Sequence, residues 1–215
     1  IRGLPEIIRN VIDRDFKMIE PTLDKTQNIG LNDFCTMIAN DLEIFDENTI
    51  KSAMKAGFEM YNNFLEMTQS GVSYTEALRN ALDGKMVKKT VDIVRPISVV
   101  VMAHGYNLFD EHISMNLIKK LEKMGVKVYT GLNVAKDDAI KNIGEFQYWA
   151  NELDLTGTAA HYLLNNKIDG IIALSAFGCG PDSLMFQEME YHAKDKNVPI
   201  IHLTVDEHTG EAGFV

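Results

Sequence analysis

The chain holds only two cysteines, Cys35 and Cys179, in 215 residues. Two thiols so far apart do not make a disulfide framework, and neither stands in a C-x-x-C pair, so a complete metal site of that kind is excluded from this chain. A reducing cytoplasm is the expected setting. Long apolar runs are also missing. The longest, Ile97 to Ala103, has the length of a strand and falls far short of the roughly 20 residues that cross a bilayer. No signal peptide is visible, and no membrane partner is expected. Positive charge is scarce: 21 Lys and Arg stand against 31 Asp and Glu, a formal net charge of −10. A surface of that sign repels nucleic acid, and the one basic run, Lys85 to Lys89, has the look of a helix end. There is no G-x-x-x-x-G-K-S/T phosphate loop, no internal repeat and no low-complexity tract. An initiator methionine is lacking too. The chain opens on Ile1-Arg2-Gly3-Leu4-Pro5 and closes on Ala212-Gly213-Phe214-Val215, so the expectation is a C-terminal piece of a larger protein.

What is present suffices for a core, since 46% of residues are hydrophobic. Residues 1–95 predict a helical region. One helix is expected over Leu4 to Ile19, stopping before Pro21, and another around Asn32 to Leu42, with Cys35 packed on it beside Phe34 and Ile38. Asp46 is placed to cap a long helix whose apolar residues, Ile50, Ala53, Met54, Phe58, Tyr61, Phe64 and Leu65, recur at spacings of three and four. Gly71 ends it. Ser73 and Glu76 form a capping box for the next helix.

Residues 96–215 change period, and Thr90 to Arg95 is the expected join. Ile97–Met102 predicts a strand buried on both faces, and Val126–Tyr129, Gly170–Leu174 and Pro199–Leu203 predict three more strands. Helices are expected between them: after Asp110, over Asp137 to Leu164 with a break near Leu153 to Gly157, and from Pro181 at an N1 position. The last should bury Leu184, Met185, Met189 and Tyr191 or His192, while Tyr148 and Trp149 are assigned to the core. Strand–helix alternation means an α/β fold: a parallel flavodoxin-like or Rossmann-like sheet of about four strands, with an added N-terminal helical region.

In such a sheet ligands bind beyond the carboxyl ends of the strands. Four loops gather there, near His104 and Asn107, at Thr130 to Asn133, at Ser175 to Ser183, and at Thr204 to Gly210. The third is the most unusual. Gly178 and Gly180 flank Cys179, and Pro181 opens the following helix. A thiol just before a helix N-terminus is favoured as thiolate, the form that binds metal or attacks. The bland alternative is a small buried thiol under a tight turn. A phosphate cradled at the same helix start near Ser183 is a further alternative, weakened because Ser183 stands where G-x-G-x-x-G has its third glycine. His104 suits either acid–base contact or capping of loop carbonyls. Asp206, Glu207 and His208 are adjacent and cannot all face one ion, so that loop is read as solvated.

Four segments carry a family resemblance: Arg2-Gly3-Leu4-Pro5, His104-Gly105-Tyr106-Asn107-Leu108-Phe109-Asp110, Ile168-Asp169-Gly170-Ile171-Ile172 and Ser175-Ala176-Phe177-Gly178-Cys179-Gly180-Pro181-Asp182-Ser183. On these the chain resembles the iron–sulfur component of 2-hydroxyacyl-CoA dehydratases, and especially the large proteins related to the activases of those dehydratases. The resemblance implies a 4Fe-4S or related double-cubane cluster in the full-length protein, held by cysteines from separate domains. Cys179 would be one ligand, Gly178 and Gly180 would let the backbone approach and donate N–H bonds to cluster sulfurs, and His104 and Asn107 would line the crevice. The remaining ligands would lie upstream of Ile1, so this chain alone is expected to hold no complete cluster. The implied activity is that of a dehydratase-like lyase or an ATP-linked reductase, with an ATP-hydrolysing activase module or partner and an acyl-CoA substrate. Two other classes stay open: a metal-free nucleotide- or flavin-binding module, and a non-catalytic regulatory or scaffold domain.

Overall fold

A computed structural model describes residues 4–23, 25–88, 97–141, 150–165 and 168–210. Tyr148, Trp149 and the expected join at 90–95 lie outside these residues. The chain forms two compact units, Ile1–Tyr61 and Asn62–Val215.

The first unit contains α1 (Leu4–Val11), α2 (Leu31–Asp41) and most of α3 (Glu47–Gln69). The helix expected to reach Ile19 stops at Val11. No residue of α1 is buried, and short helices without a packed face rarely persist beyond a few turns. Cys35 is half-buried on α2, in keeping with packing. At the start of α3 the Asp46 carboxylate accepts from the Thr49 backbone N–H at 2.7 Å and from its hydroxyl at 2.6 Å. These bonds hold the Asp46 carboxyl below its ordinary value. The stripe expected along α3 is buried only at its far end: Phe58 and Tyr61 are exposed, whereas Phe64, Met67 and Thr68 are buried. Gly71, at φ 93°, ends the helix in the left-handed conformation that glycine adopts freely.

The second unit is built on a four-stranded, fully parallel sheet in the order β2-β1-β3-β4, with β1 Ser98–Met102, β2 Lys127–Tyr129, β3 Gly170–Ala176 and β4 Ile200–Val205. This is the α/β class expected from the alternating pattern. Val99, Val101, Ile172 and Leu174 point to one face, under α6 (Leu117–Lys123). Val100, Met102, Ile171 and Ala173 point to the other, under α8 (Ala150–Leu164), which comes after the short α7 (Lys136–Ile140), and α9 (Gly180–Asp195). Val100 and Leu174 are wholly buried, each contributing about 1.5–3 kcal/mol. The Asp169 carboxylate accepts from the Ser98 N–H at 2.7 Å and its hydroxyl at 2.9 Å, tying the start of β1 to the turn before β3. α4 (Tyr74–Leu82) belongs to this unit; Ser73 accepts from the Glu76 N–H, and Tyr74 stacks on Phe109 at 4.4 Å.

Three local expectations are corrected. The break near Leu153 to Gly157 is absent, and α8 runs straight through Gly157. Its neighbours Thr156, Thr158 and Ala159 are buried at 0–1% exposure, and that packing offsets the cost of about 1 kcal/mol for a helical glycine. Asp110 caps a turn rather than the helix itself, accepting from His112 and Ile113, because Met115 and Asn116 take positive φ before α6 begins. On α9 the buried stripe is Asp182, Met185, Phe186, Met189 and Ala193, while Leu184, Tyr191 and His192 face solvent. The shift has one cause: a carboxylate, Asp182, occupies an inward position that an apolar-face argument assigns to solvent.

Candidate metal-binding site at the switch point

From β1 the chain crosses to β2 on one side and later returns through β3 to the other. The switch point of the sheet is therefore between β1 and β3, and the crevice beyond their carboxyl ends is where open α/β sheets place ligands. Two short loops enter it. After β1 come Ala103 and His104, then the short helix α5 (Gly105–Leu108). After β3 the Phe177 N–H donates to the Val205 carbonyl at 2.9 Å and the Cys179 N–H to the Ala176 carbonyl at 3.1 Å. Gly178 closes the turn at φ 76°. Cys179 is the N-cap of α9, so its thiol stands at a strand-to-helix turn against the positive end of a 16-residue helix.

Three side chains converge. His104 Nε2 lies 2.8 Å from Asp182 Oδ1. Ligand atoms of His104, Cys179 and Asp182 all lie within 4.8 Å of one another. The His104 ring stacks on Tyr106, with centroids 5.1 Å apart and planes 10° from parallel. Asp182 is wholly buried, and apart from that His104 contact neither of its oxygens has a hydrogen-bond partner. Burial pushes the Tyr106 phenol above its ordinary value, and the negative charge of Asp182 and Cys179 adds to the effect. Phe177, Leu184 and Tyr106, each two positions along the chain from one of the three converging residues, are exposed at 77%, 69% and 60%.

Of the residues singled out from sequence, His104 and Cys179 come together in one crevice. His104 faces Asp182 and does not cap α5 with its side chain. Asn107 is buried on α5, and its amide nitrogen meets no hydrogen-bond partner. Gly178 needs its left-handed backbone. Gly180 does not: it is the first residue of α9, and a Cβ there would meet nothing within 4 Å. Ser183 is exposed, and its hydroxyl donates to the Cys179 carbonyl at 2.9 Å. The loop at Asp206 is solvated as expected: its carboxylate accepts from the Thr209 hydroxyl and the His208 N–H, and it sits below its ordinary pKa because of them. Thr130 and Asn133 serve structure, with Asn133 accepting from the Thr130 N–H and donating to the Thr68 carbonyl.

Asp182 and Tyr106 are the site residues that sequence reasoning left unassigned. An acidic residue in the first turn after a proline is ordinary helix-start chemistry, so its burial leaves no trace in the pattern. The one available signal is its spacing, three residues after the thiol, which returns its side chain to the same helix turn.

Among the described residues no helix is long and apolar enough to cross a membrane. A match to the family described as CoA enzyme activase uncharacterised domain (DUF2229) covers residues 1–134. No curated protein and no solved structure matches the chain.

Proposed function

Since the chain belongs to the CoA enzyme activase uncharacterised domain family, we propose that it is part of an iron–sulfur protein of an enzyme-activation system, with Cys179 as one ligand of the cluster. One observation carries this reading: Cys179 occupies the N-cap position of α9 at the sheet's switch point, in a turn that Gly178 closes. A helix N-terminus lowers thiol pKa and presents backbone N–H groups, both of which suit a thiolate bound to iron.

The donor set fits a cluster in part. The site supplies one thiol, and Cys35 lies in the other compact unit. A cysteinyl cluster usually takes three or four, so the remaining thiolates come from another polypeptide region or another chain. The exposed Phe177, Leu184 and Tyr106 fit a site that is covered when those ligands arrive. Bound there, the cluster would accept and release single electrons at low potential. The chain's own residues would orient it: Gly178 sets the turn, Cys179 ligates, and His104 and Asn107 line the wall. Reducing power would come from an ATP-hydrolysing partner or module, and an acyl-CoA is the proposed destination of the electrons. A bound phosphate is a poorer fit, because buried Asp182 already places negative charge in the first turn of α9.

Anaerobic iron and sulfide analysis of the full-length gene product is the test. Cys179→Ser should lose most of the iron, because a missing ligand opens an iron site or releases the cluster. Cys35→Ser should keep the iron and lower the melting temperature. Equal iron in wild type and Cys179→Ser overturns the cluster role.

A further inference from the structure

We propose that His104, Cys179 and Asp182 form a site for one divalent transition-metal ion of the zinc class, bound by this chain alone with a fourth coordination position left open. This goes beyond the cluster reading and does not rest on it; the two occupancies compete for the same sulfur.

The donor chemistry selects the ion. One thiolate sulfur, one imidazole nitrogen and one carboxylate oxygen are a mixed borderline set, which suits zinc, cobalt or ferrous iron and not calcium or magnesium. Three protein ligands plus an open position is the arrangement of reactive zinc sites rather than of closed structural ones. Geometry comes close without metal. A tetrahedral ion with bonds of about 2.0–2.3 Å sets its ligand atoms roughly 3.3–3.7 Å apart. The three donors here already lie within 4.8 Å of one another, with His104 and Asp182 closer than that spacing at 2.8 Å. Small side-chain rotations reach the bound arrangement, and the ion takes the place between His104 and Asp182.

Asp182 is the independent observation. It is fully buried, and apart from His104 Nε2 at 2.8 Å neither carboxylate oxygen has a hydrogen-bond partner. Burying a carboxylate with so few partners is costly, and a cation between it and the thiolate offsets that cost. The ligands also come from two loops held rigidly by parallel strands, β1 and β3, paired from Val99 to Met102. Tyr106, stacked on His104, fixes the ring plane. On binding, the Cys179 S–H bond is lost: its proton goes to solvent, and the sulfur lone pair goes to the metal.

Cobalt(II) is the probe, titrated anaerobically into the untagged, chelator-treated 215-residue chain. The expected result is one cobalt per chain, with a sulfur-to-cobalt charge-transfer band and the intense visible absorption of four-coordinate cobalt, reversed by zinc(II). Cys179→Ser should abolish the charge-transfer band. His104→Ala and Asp182→Asn should each weaken binding by roughly 100-fold or more, beyond the 10–100-fold that loss of an outer partner costs. Cys35→Ser should change nothing. Cobalt binding that survives His104→Ala, that lacks the sulfur band, or that disappears in Cys35→Ser overturns the assignment. Should Asp182→Asn fail to fold, His104→Ala decides, since His104 lies at the rim and its loss leaves the core intact. Absent cobalt binding together with Cys179-dependent iron in the full-length protein rejects this site and spares the cluster. Site-specific cobalt binding with Cys179-independent iron does the reverse.

Discussion

Replacing Asp182 with asparagine should make the metal-free chain more stable. Asp182 is wholly buried on the inner face of α9, and His104 Nε2, 2.8 Å from Oδ1, is the polar contact recorded at its oxygens. An unsatisfied buried polar group costs about 1–3 kcal/mol, and more when charged. Asparagine keeps the shape and removes the charge while still leaving polar atoms unmet, so the net gain is about 1–2 kcal/mol. In a chain of this size each kcal/mol moves the melting temperature by about 2–4 °C, which gives a rise of about 2–8 °C. The lost contact to His104 subtracts little, because His104 reaches the rim, where solvent can replace that contact. The assay is urea and thermal unfolding in chelator. Saturating zinc should then invert the order. A ligand at 100 times its dissociation constant adds about 2.7 kcal/mol to wild type, and the variant gains far less. A fall of about 3–5 kcal/mol on Asp182→Asn without metal is the signature of a broken buried ion pair, and it would make Asp182 a structural partner of His104 with no ligand to await.

Other perturbations separate local causes. Gly178→Ala should cost about 1–2 kcal/mol, the strain of a left-handed backbone at φ 76°, whereas Gly180→Ala should be neutral or slightly stabilising, since a Cβ there has open space inside a helix; chemical denaturation of both variants checks the pair. Burial, with Tyr129 beside it, holds the Tyr162 phenol well above its ordinary value. The folded chain therefore keeps a proton that the unfolded chain has lost, so stability falls as pH rises above about 10. Tyr162→Phe should flatten that alkaline limb while changing little at pH 7, as read from melting temperature against pH. The depressed carboxyl of Asp46 works in the opposite sense: its contribution is present above the unfolded carboxylate range and is lost as pH falls through the folded value. Asp46→Ala should reduce the helicity of α3 near neutral pH, and circular dichroism should show the difference closing in acid.

Four strands, their parallel pairing and the turn that presents Cys179 follow from local features of the sequence. β-branched runs such as Ile97–Met102 and Ile171–Ile172 have no good alternative to a doubly covered strand. Gly178 and Pro181 mark the strand-to-helix turn because few residues tolerate those backbone angles. The capping of α3 by Asp46 is equally local, a carboxylate three residues from the N–H it accepts. What the sequence did not reveal depends on neighbours distant along the chain. The extent of α1 is set by the lack of a packed face, and the continuity of α8 through Gly157 by the sheet beneath it. The meeting of Asp182 with His104, 78 positions earlier and one strand away, exists only in the folded chain. Secondary structure has a period that one segment can display alone. A site assembled from the ends of two parallel strands has none, because its partners meet only when the strand order β2-β1-β3-β4 sets β1 beside β3.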